Sequence, residues 1–135
     1  MRFKDTPSEW QAQIDKIESD RNLMTFVKSI SPEKIQLVET KSTLPNSKLS
    51  SAMCHENVKN HVNAYGGQHI YGWVLRPWEM YDTKEFDGMF LAVFHSNWLS
   101  NDGELISVTP DDTKYHIFIE DKRRKFDFQK LESFN

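Results

Sequence analysis

Apolar and polar positions alternate with two different periods along this chain. Near its start, Trp10, Ile14 and Ile17 recur at helical spacing with charged residues between them. This spacing predicts a helix near residues 7–20. Further on, the segment Lys34–Val38 alternates with a period of two, which is typical of a half-buried strand.

A second helix is predicted in the middle of the chain, after a stretch at 40–51 that reads as a loop by composition. Ser50 or Ser51 suits its N-cap, because a hydroxyl oxygen can accept from the free amides of the first turn. Gly66 suits its end, since glycine adopts the left-handed conformation without a steric cost. The only cysteine, Cys54, then lies in the first turn of this helix.

Beyond this helix the period changes to two. Four alternating segments predict strands: His69–Leu75, Met89–Trp98, Glu104–Val108 and Tyr115–Glu120. The segment Arg76–Glu79 breaks the alternation and should bend or end its strand. Helices followed by strands predict an α+β domain spanning 1–135, in which the Cys54 helix packs on an antiparallel sheet of four to five strands.

The turn after Trp98 decides which residues lie beside His95. A three-residue loop, Asn101–Gly103, pairs His95 with Thr109 and Asn97 with Ser107. A two-residue turn would move every side chain of the second strand to the other face and surround His95 with apolar groups. We favour the three-residue loop, which gathers polar groups around the imidazole.

Composition narrows the classes of function. The chain has 135 residues, of which 38% are apolar and 27% charged, as in one ordinary globular domain. A net charge of −3 offers no general attraction for nucleic acid or an acidic membrane. The basic run at 122–125 is typical of a solvated tail, so nucleic acid is not an expected partner. No apolar stretch is long enough to span a membrane, and Met1–Ser19 lacks the apolar centre of a signal peptide. We therefore expect a cytoplasmic protein that does not associate with a membrane.

Cys54 is the first candidate for chemistry. The unpaired amides and the dipole at a helix N-terminus favour a thiolate, which is the nucleophilic form of cysteine. A cysteine at this spacing is also often a small apolar core residue, and the sequence leaves that alternative open. Cysteine and histidine residues fall in no recognised zinc spacing, so we expect neither a metal site nor a cofactor.

His95 is the candidate base. It lies mid-strand on the same face as Met89, Leu91 and Val93, and we expect this face to pack under a helix. A thiol nucleophile needs such an imidazole to take its proton, and a polar group to orient the ring. The favoured register nominates Asn97, Ser107 and Thr109 for the orienting role, with Asp102 next.

A cysteine that opens a helix, followed by strands that deliver a histidine and a polar residue, resembles the papain-like superfamily in its compact forms, the NlpC-type peptidases and transglutaminase-like hydrolases. The runs Cys54–Val58, His95–Trp98 and Val108–Pro110 are also similar to small bacterial and phage proteins with a Cys-His-x-Asn-Val … His-x-x-Trp … Val-Thr-Pro pattern. The resemblance covers 50–110 and implies a papain-like core, with Cys54 as nucleophile and His95 as base.

One position departs from that pattern. Ser107 stands where the resemblance implies an aspartate, and a serine carries no charge to stabilise an imidazolium. Asp111 and Asp112 are close enough in sequence to substitute. The departure leaves open a weak enzyme, an enzyme with another acid, or a binding protein on an enzyme's frame.

Further residues are candidates for substrate contact. The backbone amide of Cys54 and the amide of Asn46, in the loop before the helix, are candidate oxyanion donors. Trp78 and Trp98 are candidates for the edge of a substrate cleft, although large aromatics in a sheet commonly belong to the core.

The sequence therefore predicts a papain-like thiol hydrolase or acyltransferase that acts on an amide or similar acyl bond of a peptide, protein or other substrate. The alternative is a non-catalytic interaction protein, of phage or mobile-element origin, on a degenerate papain-like frame.

Overall fold

The computed structural model describes residues 3–31, 34–41, 53–81, 85, 88–111 and 113–123. The described residues form three α-helices: α1 (Pro7–Ser19), α2 (Arg21–Ile30) and α3 (Cys54–Tyr65). They also form five strands: β1 (Gln36–Thr40), β2 (Gln68–Pro77), β3 (Phe90–Leu99), β4 (Leu105–Ser107) and β5 (Tyr115–Glu120). The predicted α+β class is confirmed.

The two N-terminal helices share one capping residue. Asp20 ends α1, and its carboxylate accepts from the backbone amides of Asn22 and Leu23 at 2.9 and 3.0 Å, which starts α2. The helix predicted at 7–20 is confirmed. Sequence analysis missed α2, although an acidic N-cap before a run with helical apolar spacing was a readable signal.

The ends of α3 follow the prediction only in part. Gly66 ends the helix with a φ of 81°, as predicted for glycine at this position. The predicted serine cap is wrong, because the N-cap is Met53, which makes no side-chain capping bond. The helix therefore begins with backbone amides that no N-cap side chain satisfies, directly at Cys54.

The strands form a closed barrel in the order β1-β4-β3-β2-β5. The predicted antiparallel sheet is wrong in one pairing, since β1 runs parallel to β4 while the other neighbours are antiparallel. The reason is geometric: five strands in a ring cannot alternate in direction all the way round, so at least one neighbouring pair must be parallel. The barrel is consequently a mixed sheet, in which β4 pairs with only two residues of β3, Trp98 and Leu99.

The predicted strands after α3 are all present, and β5 has the predicted bounds. The predicted break after β2 is confirmed as well, because the strand ends at Pro77 and a 3-10 helix follows at Trp78–Tyr81. β1 begins two residues later than the predicted segment Lys34–Val38.

The hairpin between β3 and β4 has the three-residue loop that we favoured. Trp98 pairs with Ile106 and Leu99 with Leu105, and Gly103 closes the loop with a φ of 83°. The same register sets Asn97 opposite Ser107, with both side chains on the interior face of the barrel.

Helices cover the barrel from two sides. α1 and α2 pack on outward-facing residues of β2 and β5, in a cluster that includes Trp10, Leu75 and Ile117. α3 packs on β3 and β4 through Val58 and Trp98. The interior is filled by a smaller apolar cluster: Val38, Val74 and Phe118 with Ile70 and Leu105. No helix in the described ranges is long and apolar enough to cross a membrane.

The face of β3 that carries His95 is not the face that a helix covers. Met89, Leu91 and Val93 are 54%, 38% and 37% exposed, whereas Trp98 on the opposite face lies under α3. The expectation that a helix packs on the Met89–Val93 face is therefore wrong. Successive side chains of a strand point to opposite sides, and the side of His95 faces the barrel interior, so α3 packs on the outer side that carries Trp98.

Candidate active site

The Cys54 thiol lies at the N-terminus of α3, half-buried against β3. Burial raises the pKa of this thiol, and hydrogen bonds from the backbone amides of Ser96, His55 and Cys54 itself oppose the rise without cancelling it. The resting group is therefore a protonated thiol at neutral pH. The donating amide of Ser96 belongs to the peptide that directly follows His95, so the sulfur lies beside the main chain of the candidate base.

The His95 ring points into the barrel, where its Nε2 lies 3.1 Å from the side-chain oxygen of Asn97 and 3.5 Å from the hydroxyl of Ser107. An amide oxygen can only accept, so Nε2 carries the ring proton and donates it to Asn97. Nδ1 is then the basic nitrogen. Burial lowers the pKa of His95 to about 4, and the ring is neutral at pH 7.

The thiol and the imidazole approach the same point of β3 from different sides. Within the described ranges, no hydrogen bond joins the Cys54 sulfur to the His95 ring, and the bonds of that ring go to Asn97 and Ser107. Direct contact between Nδ1 and the sulfur therefore requires a change of side-chain conformation. Catalytic hydrogen bonds are often long or absent before a substrate binds.

The candidate orienting residues take different positions. Asn97 holds the ring most closely, and Ser107, which is 1% exposed, is the second neighbour of Nε2. Thr109 contacts α3 instead, because its hydroxyl accepts from the side-chain amide of Asn57 at 3.2 Å. Thr109 thus ties the cysteine helix to the segment after β4.

Asp111 lies close enough to His95 to affect its charge. Its carboxylate raises the pKa of His95, but it also forms an ion pair of 2.9 Å with Arg76, whose own charge lowers that pKa. The Asp111 carboxylate is therefore a poor substitute for a triad acid. Asp112 and the candidate oxyanion donor Asn46 lie outside the described residues.

The two candidate cleft tryptophans lie in different environments. Trp98 is 6% exposed and donates its indole N–H to the backbone oxygen of Gly66 at 2.8 Å. Its ring lies 5.3 Å from the ring of His61, tilted by 51°. This side chain fastens the end of α3 to β3. Trp78 is half-buried in the 3-10 helix, 5.4 Å from the ring of Tyr81.

A cluster that sequence analysis missed lies behind the thiol. The buried hydroxyl of Ser96 is hydrogen-bonded to Nδ1 of His55 and to Nε2 of His69, and Tyr71 stacks on His69 at 4.2 Å. Burial lowers the pKa of both histidines, that of His69 to about 4 with help from the charge of His55. The pairing of β2 with β3 creates this cluster, so only strand register could have revealed it.

No three histidine, cysteine, aspartate or glutamate side chains come together as a metal site in the parts of the chain that the structure describes. In comparisons with known proteins, no family model, no curated protein and no solved structure matches the chain. The papain-like resemblance stays a prediction.

Proposed function

We propose that this protein is a thiol hydrolase or acyltransferase that acts on an amide or similar acyl bond. The observation that supports the proposal is that Cys54 and His95 lie at the same point of β3, on its two sides, so that a change of side-chain conformation can bring them together. The Cys54 sulfur accepts a hydrogen bond from the backbone amide of Ser96, the residue after His95. The His95 ring donates its Nε2–H to Asn97, which leaves Nδ1 unprotonated and basic. A nucleophile, a base and an orienting amide are the parts that acyl transfer through a thiol needs.

In the first half-reaction, Nδ1 of His95 takes the thiol proton while the sulfur attacks the acyl carbon. The new C–S bond forms, the carbonyl electrons move to oxygen, and the imidazolium stabilises its charge by donating Nε2–H to Asn97. Collapse of this intermediate breaks the C–N bond, and the leaving amine takes the proton from Nδ1. The amides that donate to the resting sulfur, those of Ser96 and Cys54, are candidates to receive the oxyanion.

In the second half-reaction, water or another acceptor attacks the thioester while His95 takes its proton. The C–S bond breaks, the acid or the new acyl product leaves, and the sulfur recovers a proton from the imidazolium. Because thiol and imidazole are both neutral at rest, proton transfer accompanies the attack in each direction.

The test uses p-nitrophenyl acetate as a generic acyl donor and follows both released nitrophenol and protein mass. We expect one acetyl group on Cys54, no acetylation in Cys54→Ala, and a rate lower by about 10² or more in His95→Gln. Asn101→Ala, in the exposed hairpin loop, is the matched control and should react as the wild type does. Nitrophenol release that is the same in the wild type and in Cys54→Ala, or equal rates with and without His95, would refute the proposal.

A second candidate function is a binding protein on the same frame, and Ser107 is the observation that favours it. Its hydroxyl occupies the place beside Nε2 where an acid would stabilise the imidazolium. Ser107→Asp separates the two functions, because a gain in the rate of Cys54 acetylation indicates an enzyme with a weakened site. A binder would keep its partner and gain no acyl transfer.

A further inference from the structure

A line of buried polar side chains crosses the barrel interior from His95 through Asn97 to His116. The Asn97 oxygen lies 3.1 Å from Nε2 of His95, and the Asn97 nitrogen lies 3.1 Å from Nε2 of His116. Asn97 is 0% exposed and His116 is 2% exposed. The amide thus links two rings that lie edge to face, 4.9 Å apart between centroids.

The two ends of this amide are coupled. The NH₂ of Asn97 donates to His116, so Nε2 of His116 is unprotonated and the ring proton is on Nδ1. With its nitrogen occupied there, Asn97 must present its oxygen to His95. A reversed amide would present a donor to Nε2 of His95 instead and move that ring's proton to Nδ1. The two tautomers are therefore linked through the amide: an unprotonated Nε2 on His116 goes with a protonated Nε2 on His95.

Burying His116 at this position lowers the stability of the fold. Its Nδ1 is buried and has no hydrogen-bond partner in the described part of the chain. Two apolar side chains also lie on this inner face near His116: Val38 is paired with it across the sheet, and Phe118 is two residues along β5. A buried donor without an acceptor destabilises the fold, and an apolar side chain would avoid it. The histidine is thus better explained by its bond to Asn97 than by packing.

We propose that His116 is a positioning residue: by accepting from Asn97 it sets the orientation of that amide and so keeps His95 in the tautomer with a free Nδ1. Its catalytic meaning rests on the proposed function. The tautomer of His95 does not depend on any activity and can be measured separately.

The experiment records long-range ¹H–¹⁵N spectra of the full chain at pH 7, with His95→Gln used to assign the His95 signals. We expect a neutral His95 protonated at Nε2, a neutral His116 protonated at Nδ1, and a scalar coupling across the Asn97 to His116 hydrogen bond. His116→Leu should give His95 as a mixture of tautomers. His116→Gln, whose side-chain oxygen can accept from Asn97, should restore the single tautomer.

His61→Leu is the matched control. His61 is also fully buried with an unpartnered ring nitrogen, but it bonds the backbone of Asn57 on α3 rather than Asn97. Replacing it should leave the His95 tautomer unchanged. A wild-type His95 protonated at Nδ1, or no coupling between Asn97 and His116, would overturn the inference even if His116→Leu fails to fold. An unchanged tautomer in a folded His116→Leu would overturn it as well.

Acetylation by p-nitrophenyl acetate supplies the second readout. His116→Leu should react more slowly than the wild type, by the factor by which the tautomer with a free Nδ1 is depleted, and His116→Gln should recover most of the rate. If the wild type shows the expected tautomers but no nitrophenol release that depends on Cys54, the proposed function fails while the positioning role of His116 is supported.

Discussion

At the residue scale, burial and hydrogen bonding act against each other on the Cys54 thiol. The amides at the start of α3 and on β3 favour a thiolate, but the half-buried position favours the neutral thiol, and burial has the larger effect. The first-turn position could be predicted from the sequence. The pKa direction could not, because it depends on how much of β3 covers the sulfur.

Alkylation should report this balance. Because the pKa of Cys54 is raised, its rate with iodoacetamide should increase steadily with pH up to and beyond pH 9, and at pH 7 should be several-fold below that of a free thiol such as glutathione. Cys54 is the only cysteine, so the mass of the labelled protein measures the rate directly. A rate that is already constant between pH 6 and 8 would contradict the raised pKa.

Ser107 offers a second prediction at this scale. In Ser107→Asp the new carboxylate lies close to Nε2 of His95, and opposite charges at such distances raise an imidazole pKa by about one to three pH units. The pKa of His95 should therefore rise from about 4 toward its ordinary value. A ¹H NMR titration of the His95 ring measures it, with Ser107→Asn as the neutral control. Equal pKa values in the two variants would contradict the prediction.

At the element scale, the long hairpin of β2 and β3 positions the site. It sets His95 opposite Gly72, while Ser96 pairs with Tyr71 on the other face. Alternation along the chain predicts both strands, but not which strands they pair with beyond the hairpin. That choice comes from closure of the barrel, which joins β2 to β5.

Gly72 makes this closure possible. A Cβ atom there would lie 2.2 Å from the backbone oxygen of Ile119 and 2.5 Å from the ring of Phe118. Gly72→Ala should therefore lower the free energy of unfolding by about 3 kcal/mol or more, measured by urea denaturation. Gly103→Ala, with a φ of 83° but no atom within 4 Å of the added Cβ, should cost only about 1 kcal/mol. Equal costs would contradict the close approach of β2 and β5.

At the scale of the whole molecule, the fold buries histidines in their neutral form. His95 and His69 have pKa values lowered to about 4, and burial is the main cause for both. Burial also lowers the pKa of His116. In the unfolded chain these rings have the ordinary histidine pKa of about 6.5. Below that pH the unfolded chain therefore binds more protons than the folded protein does.

The contribution of these neutral histidines to the free energy of unfolding should therefore be fully present above pH 6.5 and should decrease as the pH falls toward 4. The slope due to His95 is at most about 1.4 kcal/mol per pH unit, and that due to His69 is smaller because partial exposure screens its charge. Urea denaturation at pH 7, 6, 5 and 4.5 measures the effect. His95→Gln should show a shallower slope than the wild type, and an identical slope would contradict the buried neutral state of His95.

Local pattern accounts for much of the fold, and its failures have clear physical causes. Alternation predicts the observed bounds of β5, and Gly66 predicts the end of α3, because both features depend on neighbouring residues. The covered face of β3 was predicted wrongly, since Met89–Val93 and the face of Trp98 are both apolar in sequence. Closure of the barrel turns the His95 face inward and leaves the face of Trp98 to α3.

By itself, the sequence determined the helix that has Cys54 in its first turn, the strand that carries His95 and the loop that sets Asn97 opposite Ser107, since each depends on spacing within one or two elements. Only the tertiary structure decided that Asn97 orients the ring, that His116 lies behind it and that the sulfur lies beside the amide of Ser96. These contacts join residues that are far apart in the chain, and their electrostatics depend on burial, which a closed barrel creates and a local pattern does not contain.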